Sequence, residues 1–211
     1  MKLNPMQAMF LQLLEEMPVA ELYRHSTINH HANGMDYLCL QRDNRVTLKI
    51  YLIRGMPKEN GGFLINPHSH RYSFMSSVLC GSLRHYLFKE THAKKADREW
   101  EKHVYRADEP VGNRMVGLGA TALDVQSALV YQAHPGMDTY FVDPTEIHTL
   151  EMIQDRVPTM IGLIQHSDVS DTSELYTKID GKMILPDSRK PTFKEAQALR
   201  DECIYILREV T

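Results

Sequence analysis

Two histidines one residue apart, His68 and His70, are the first residues in this chain whose type and spacing suggest chemistry. On a strand, side chains alternate between faces, so positions i and i+2 project to the same side and both imidazoles can reach one metal ion. The pair sits in Asn66-Pro67-His68-Ser69-His70, ahead of an apolar run that leads to Gly81-Ser82-Leu83. A third ligand has to come from another strand. Glu146-Ile147-His148-Thr149-Leu150, preceded by Asp143-Pro144, offers His148 at the start of a late one. Three facial imidazoles suit iron, zinc, nickel, copper or manganese and leave about three positions open on an octahedral ion. Neutral ligands leave the ion's charge uncompensated, so a small chelating anion such as a thiolate, enolate or carboxylate is the expected substrate, with O2 as co-substrate. A His-x-His pair alone also occurs on half-exposed strands without metal. Here the proline before the pair, the glycine turn one strand later and the distant His148 all agree with one site.

Four further residues are candidates for catalytic roles. Arg54 closes the strand-like run 47–54, where its guanidinium can hold a substrate carboxylate bidentately or simply sit solvated at a strand end. Tyr51 and Tyr140 can orient substrate or oxygen, or serve as amphipathic core residues. His85, in Leu83-Arg84-His85-Tyr86-Leu87, is aimed by alternation into the interior with Leu83 and Leu87, as a supporting residue behind the ligands or as a core histidine bonded to backbone. The remaining histidines, among them His25, His30, His31, His92, His134 and His166, lie in polar, charged or strand-end contexts, and most of them read as surface residues.

The His-x-His segment, Cys80-Gly81-Ser82-Leu83 and the later Pro144-x-x-Ile147-His148 resemble the two motifs of the cupin superfamily over roughly residues 61–166. His68-x-His70, Gly81-Ser82-Leu83 with Leu87-Phe88, and His148 are similar in particular to the thiol dioxygenase branch typified by cysteine dioxygenase. That resemblance implies a double-stranded β-helix, or jelly-roll barrel. It also implies three neutral histidines on Fe(II), oxidation of a small anionic substrate with thiols among the candidates, and pairing into a homodimer. Residues 71–75 hold no carboxylate to act as the glutamate ligand of many cupins, which agrees with a three-histidine site. No cysteine stands near Phe74 and Met75, where some thiol dioxygenases carry a crosslinked one, and Thr145 and Glu146 fill the place of the usual second-motif glycine. Two other functions fit the same motifs. One is a cupin isomerase, lyase or hydrolase whose ion acts only as a Lewis acid. The other is a non-catalytic ligand-sensing barrel whose end helices mediate dimerisation.

The elements that must position these residues follow from periodicity. Asn4-Pro5 reads as a cap and first helical position, and Met6, Met9, Phe10, Leu13 and Met17 recur at helical spacing, predicting a helical segment over about 4–24. Thr192 to Glu195 reads as a capping box opening a closing helix over about 192–209, with Phe193, Ala196, Leu199, Cys203, Ile206 and Val210 as its apolar stripe. Between them, ten short runs of period near two (36–42, 47–54, 62–66, 73–80, 82–89, 103–106, 127–133, 138–142, 147–153 and 159–166) predict a barrel over about 36–185. Residues 90–119 read as an elaborated loop region and 168–173 as a polar connector. One domain of 211 residues is expected, mainly β.

The formal charge of −3 provides no field for nucleic acid, and no apolar run approaches the roughly 18 residues of a membrane span. The start of the chain shows no signal-peptide pattern. Three scattered cysteines in apolar contexts read as buried reduced thiols. A cytoplasmic protein acting on a small molecule is the expectation.

Overall fold

The computed structural model describes residues 3–55, 63–91, 99–108, 114–134, 136, 138–153, 158–167, 170–179 and 187–209. Gly62, His92, Asp168, Val210 and the expected end of the barrel over 180–185 lie outside the described residues.

Two helices open the chain, α1 (Pro5–Glu16) and α2 (Val19–His25). Asn4 starts α1 by accepting the Gln7 N–H at 2.9 Å, while the Gln7 side chain accepts the Asn4 N–H at 2.8 Å. The reciprocal pair satisfies two amides that the first turn cannot. Ten strands follow: β1 (Met35–Arg42), β2 (Val46–Ile53), β3 (Phe74–Cys80), β4 (Ser82–Thr91), β5 (Trp100–Arg106), β6 (Met115–Gln132), β7 (Thr139–Val142), β8 (Ile147–Met152), β9 (Thr159–His166) and β10 (Thr172–Lys178). Helix α3 (Phe193–Glu209) closes the described chain. Its capping box forms as expected, with Thr192 Oγ1 accepting the Glu195 N–H at 3.2 Å and Glu195 Oε2 accepting the Thr192 N–H at 2.7 Å.

The strands make two five-stranded antiparallel sheets, in the orders β1-β2-β9-β3-β7 and β10-β5-β6-β4-β8. Together they form the expected jelly-roll-like barrel, mainly β with helices at both ends. The first sheet is buried on both faces. Tyr37, Cys39, Tyr51, Ile53, Val78 and Ile161 point into the barrel, whereas Leu38, Leu40, Ile50, Leu52 and Met160 pack under α1 and α3 with Phe10, Leu14, Leu199, Cys203 and Ile206. This double burial is why the β2 sequence runs almost continuously apolar. Helix α1 lies so close to β9 that a Cβ added at Gly162 would come 2.3 Å from the Phe10 ring. The apolar stripe of α1, and Ala196, Leu199, Cys203 and Ile206 of α3, are therefore used inside the chain, whereas Phe193 stays exposed.

Gly81 makes the turn between β3 and β4 at φ +74°, where a Cβ would lie 2.7 Å from Thr159 Oγ1, so only glycine joins these strands without strain. The three cysteines are buried and unpaired, as expected.

The strand count matches expectation but the membership does not. The apolar run at 62–66 forms no strand where it is described; Leu64 and Ile65 are buried as a plug instead. Residues 90–119, expected as a loop region with a strand-like run only at 103–106, contain all of β5 and the start of β6, and the connector at 168–173 runs into β10, an edge strand whose side chains are mostly part-exposed. Among the described residues, no helix is long and apolar enough to cross a membrane.

Candidate metal centre

Residues 67–70 belong to neither sheet by regular pairing, yet they lie between the ends of the second one. His68 exchanges backbone bonds with His148 of β8, N–H to O at 3.0 Å one way and 2.9 Å the other. On its other side, Tyr176 donates to the Pro67 carbonyl at 2.9 Å and Ser69 to the Glu174 carbonyl at 2.9 Å. The segment thus bridges β8 to β10, and extended geometry holds as the sequence implied. His68 and His70 share one side, while Ser69 turns away and its hydroxyl accepts the Glu174 N–H at 2.9 Å.

His148 enters from β8, next to the turn at 143–146. Asp143 Oδ1 accepts the Thr145 N–H at 3.0 Å, and Glu146 Oε2 accepts the Asp143 N–H at 2.6 Å. Among the described residues, Asn29 alone of the non-glycines has a positive φ. This turn therefore needs no glycine, and Thr145 and Glu146 fit where one was expected.

The donor atoms of His68, His70 and His148 all lie within 4.8 Å of one another. Nε2 of His70 and Nε2 of His148 are 2.9 Å apart, the separation two adjacent ligands would have on one ion with bonds of about 2.1 Å. His68 Nδ1 donates to the Asn66 carbonyl at 2.8 Å, which leaves its Nε2 as a lone pair. His148 Nδ1 meets His85 Nε2 at 2.8 Å. With His148 Nε2 kept for the ion, its Nδ1–H must donate and His85 must accept. Burial holds all three candidate ligands below the ordinary imidazole range, and His85 at about 4. Neutral imidazoles, here with the tautomers of His68 and His148 set by their partners, are the ligand form a divalent metal requires, so these residues fit one.

The centre lines a small inner cavity of about 30 Å³, room for roughly one water, walled by Met35, Ile65, Phe74, Leu150, Ile161 and Leu163. Among the described residues lining it there is no aspartate or glutamate, which agrees with the three-histidine expectation. It adjoins a vestibule of about 1030 Å³. His31, Lys49, His68, His70 and Tyr72 border both spaces and form the throat between them.

The four other candidates separate clearly. Tyr51 and Tyr140 line the inner cavity, and burial raises both hydroxyls above the ordinary tyrosine range. Tyr51 Oη lies 3.5 Å from His31 Nε2. Tyr140 stacks on His85 with ring centroids 4.5 Å apart, so His85 is clamped between Tyr140 and His148. Arg54 is elsewhere: its guanidinium binds Asp36 and, at 2.6 Å, Glu202 of α3, and it borders neither the inner cavity nor the vestibule. Its side chain follows the last residue of β2 out toward the helix layer.

No protein-family model matches this chain, and no curated protein sequence matches it. Solved structures do. It is similar to hydroquinone 1,2-dioxygenase from Sphingomonas sp. TTNP3, at 9% identity and TM-score 0.36 over 62% of this chain and 65% of that one. It is similar to an RmlC-like cupin from Shewanella frigidimarina, at 14% identity and TM-score 0.34 over 70% of this chain and 89% of that one. It is also similar to hydroxypropylphosphonic acid epoxidase from S. wedmorenis, at 10% identity and TM-score 0.36 over 71% and 61%. The chain thus spans less than two thirds of those two enzymes. What the centre can do follows from its own residues.

Residues that the sequence reading set aside or passed over also border it. His31, expected on the surface, stands at the throat with its ring 6.0 Å from that of His68. His30 stacks on Tyr37 at 4.9 Å. Lys49 is buried two residues before Tyr51 on the same face of β2, a spacing from which alternation alone would place it beside that tyrosine. Tyr72 follows His70 at i+2, with ring centroids 5.1 Å apart.

Proposed function

We propose that this protein is a mononuclear non-heme Fe(II) dioxygenase that oxidises a small anionic substrate, with thiols among the candidates, using O2. The observation that carries this reading is the convergence of three neutral imidazoles from two chain segments on one point where an apolar inner cavity opens to the vestibule, with no carboxylate among the described residues lining that cavity. His68, His70 and His148 would hold the ion. When bound, it would supply open positions for substrate and oxygen and a redox couple that zinc lacks. The chain's own residues do the rest. The Asn66 carbonyl and His85 hold the tautomers of His68 and His148. Met35, Phe74, Leu150, Ile161 and Leu163 keep bulk water from the reacting atoms. Tyr51 and Tyr140 present buried hydroxyls in the same wall, able to donate a hydrogen bond without ionising near neutral pH. Three unpaired buried thiols and an oxidisable ion agree with a reducing, cytoplasmic setting.

The test is oxygen consumption by chain reconstituted with ferrous iron, supplied with small thiols, hydroxy acids and enolisable acids. Uptake that needs both iron and substrate supports the reading. Turnover that continues unchanged without oxygen would instead assign the centre to redox-neutral, Lewis-acid chemistry.

A further inference from the structure

We propose that Lys49 is the substrate-recognising cation of this site, and that the molecule acted on carries a carboxylate at the end away from the atoms facing the histidines. This rests on the metal-centre reading above and adds the substrate class to it.

Lys49 rises from the middle of β2 and is 4% exposed. Its ammonium lies 5.0 Å from the centre of the Tyr72 ring and 5.7 Å from those of Tyr37 and Tyr51. It donates to Gln165 Oε1 at 2.6 Å and to the Tyr72 hydroxyl at 3.4 Å, both neutral groups. Among the described residues no carboxylate forms an ion pair with it. Three ring faces and an amide support a cation, but a buried charge without a counter-ion remains costly. Burial, and then the nearby Arg42 charge, bring the Lys49 pKa down to about 7. A group kept at that cost needs a reason, and its place gives one.

Lys49 stands in the throat with His31, His68, His70 and Tyr72. One ring, Tyr72, separates it from His70. The inner cavity is too small for more than the reacting end of a substrate, so the remainder must extend past Lys49 into the vestibule. Arg54 is committed to Asp36 and Glu202. Arg42 and Arg71 also line the vestibule but neither borders the inner cavity, and Arg42 donates at 3.2 Å to the hydroxyl of Tyr37, a wall of the lysine's cage; among the described residues of the throat itself, Lys49 is the one ammonium or guanidinium. A single ammonium balances a single negative charge, and the Tyr72 hydroxyl keeps its own proton to donate to a second carboxylate oxygen. This favours a carboxylate over a dianionic phosphate.

The test uses zinc-loaded protein, so that no turnover intrudes, and calorimetric titration with 3-mercaptopropionate and its neutral amide. The wild-type chain should bind the acid about 10-fold or more tighter than the amide, the value of one charge-assisted hydrogen bond. Lys49→Met should abolish that preference, with amide affinity and zinc content unchanged, and should raise the melting temperature by removing a buried unpaired charge. Lys49→Arg should keep part of the preference. Equal binding of acid and amide by the wild-type chain overturns the proposal without touching the metal centre, as does a Lys49→Met variant that loses both ligands equally. Should Lys49→Met not fold, Lys49→Gln and the wild-type comparison decide alone. A chain that takes up no zinc overturns the metal reading, and this one with it.

Discussion

His85 Nε2 lies 2.8 Å from Nδ1 of His148, on the far side of that ring from the point where the three histidines converge. The two residues are diagonal neighbours on β4 and β8, where His85 pairs with Leu150 and Leu87 with His148. The contact decides which nitrogen of His148 faces the centre.

His85 is thus a positioning residue. His85→Ala should weaken metal affinity about 10- to 100-fold, the usual effect of removing such a partner, while the fold stays cooperative. His85→Gln, whose amide oxygen can accept the same Nδ1–H, should recover part of it. Competition against a chelator of known affinity measures both. Equal affinity in wild type and His85→Ala would assign His85 to core packing.

Arg54 belongs to the link between β1, β2 and α3. Arg54→Ala leaves the buried Asp36 carboxylate without its cation and should lower stability by about 1–2 kcal/mol, discounted for the solvent that reaches the guanidinium. Metal content and substrate affinity should not move. Urea unfolding alongside metal analysis checks both; a selective loss of substrate affinity would return Arg54 to the clamp role its sequence position suggested.

The pH dependence of stability follows from burial of bases. His30 and His85 are held at about 4, and His68, His70 and His148 below the ordinary 6.5, chiefly by burial. Below pH 6.5 the unfolded chain takes up protons that the folded chain refuses, so stability of the metal-free protein should fall as pH drops from 6.5 toward 4. Lys49 adds a second limb of the same sign. With its folded value at about 7 against an ordinary 10.5, stability should rise from pH 7 toward 9.5, and Lys49→Met should flatten that limb alone. Melting temperatures from pH 4 to 9.5 read both. No fall between 6.5 and 4 would mean that these imidazoles are not buried as described.

What the sequence disclosed and what it hid share a physical cause. His68, His70 and His85 were legible because strand alternation is local, and the Asn4 cap and the capping box of Thr192 and Glu195 because such signals span at most four residues. Lys49 was passed over, although alternation puts it on the same face as Tyr51. A lysine in a strand ordinarily marks the solvent face, and β2 has none, since α1 and α3 cover one side and the barrel interior the other. The pairing of Arg54 could not be read locally because its partner Glu202 is 148 residues away. The start of β6, with Gly117 and Gly119, carries little strand propensity and is held by pairing with β5. Residues 63–65 are apolar because they plug the barrel, which periodicity cannot tell from a strand.

The central claim is that His68, His70 and His148 hold one metal ion. Its most direct test is elemental analysis of untagged protein purified without chelator, beside His68→Ala, His70→Ala and His148→Ala variants that unfold cooperatively. We predict close to one equivalent of a first-row transition metal, iron after anaerobic ferrous reconstitution, in the wild-type chain and none in the three variants. A metal-free wild type after reconstitution, or undiminished metal in all three variants, would contradict it.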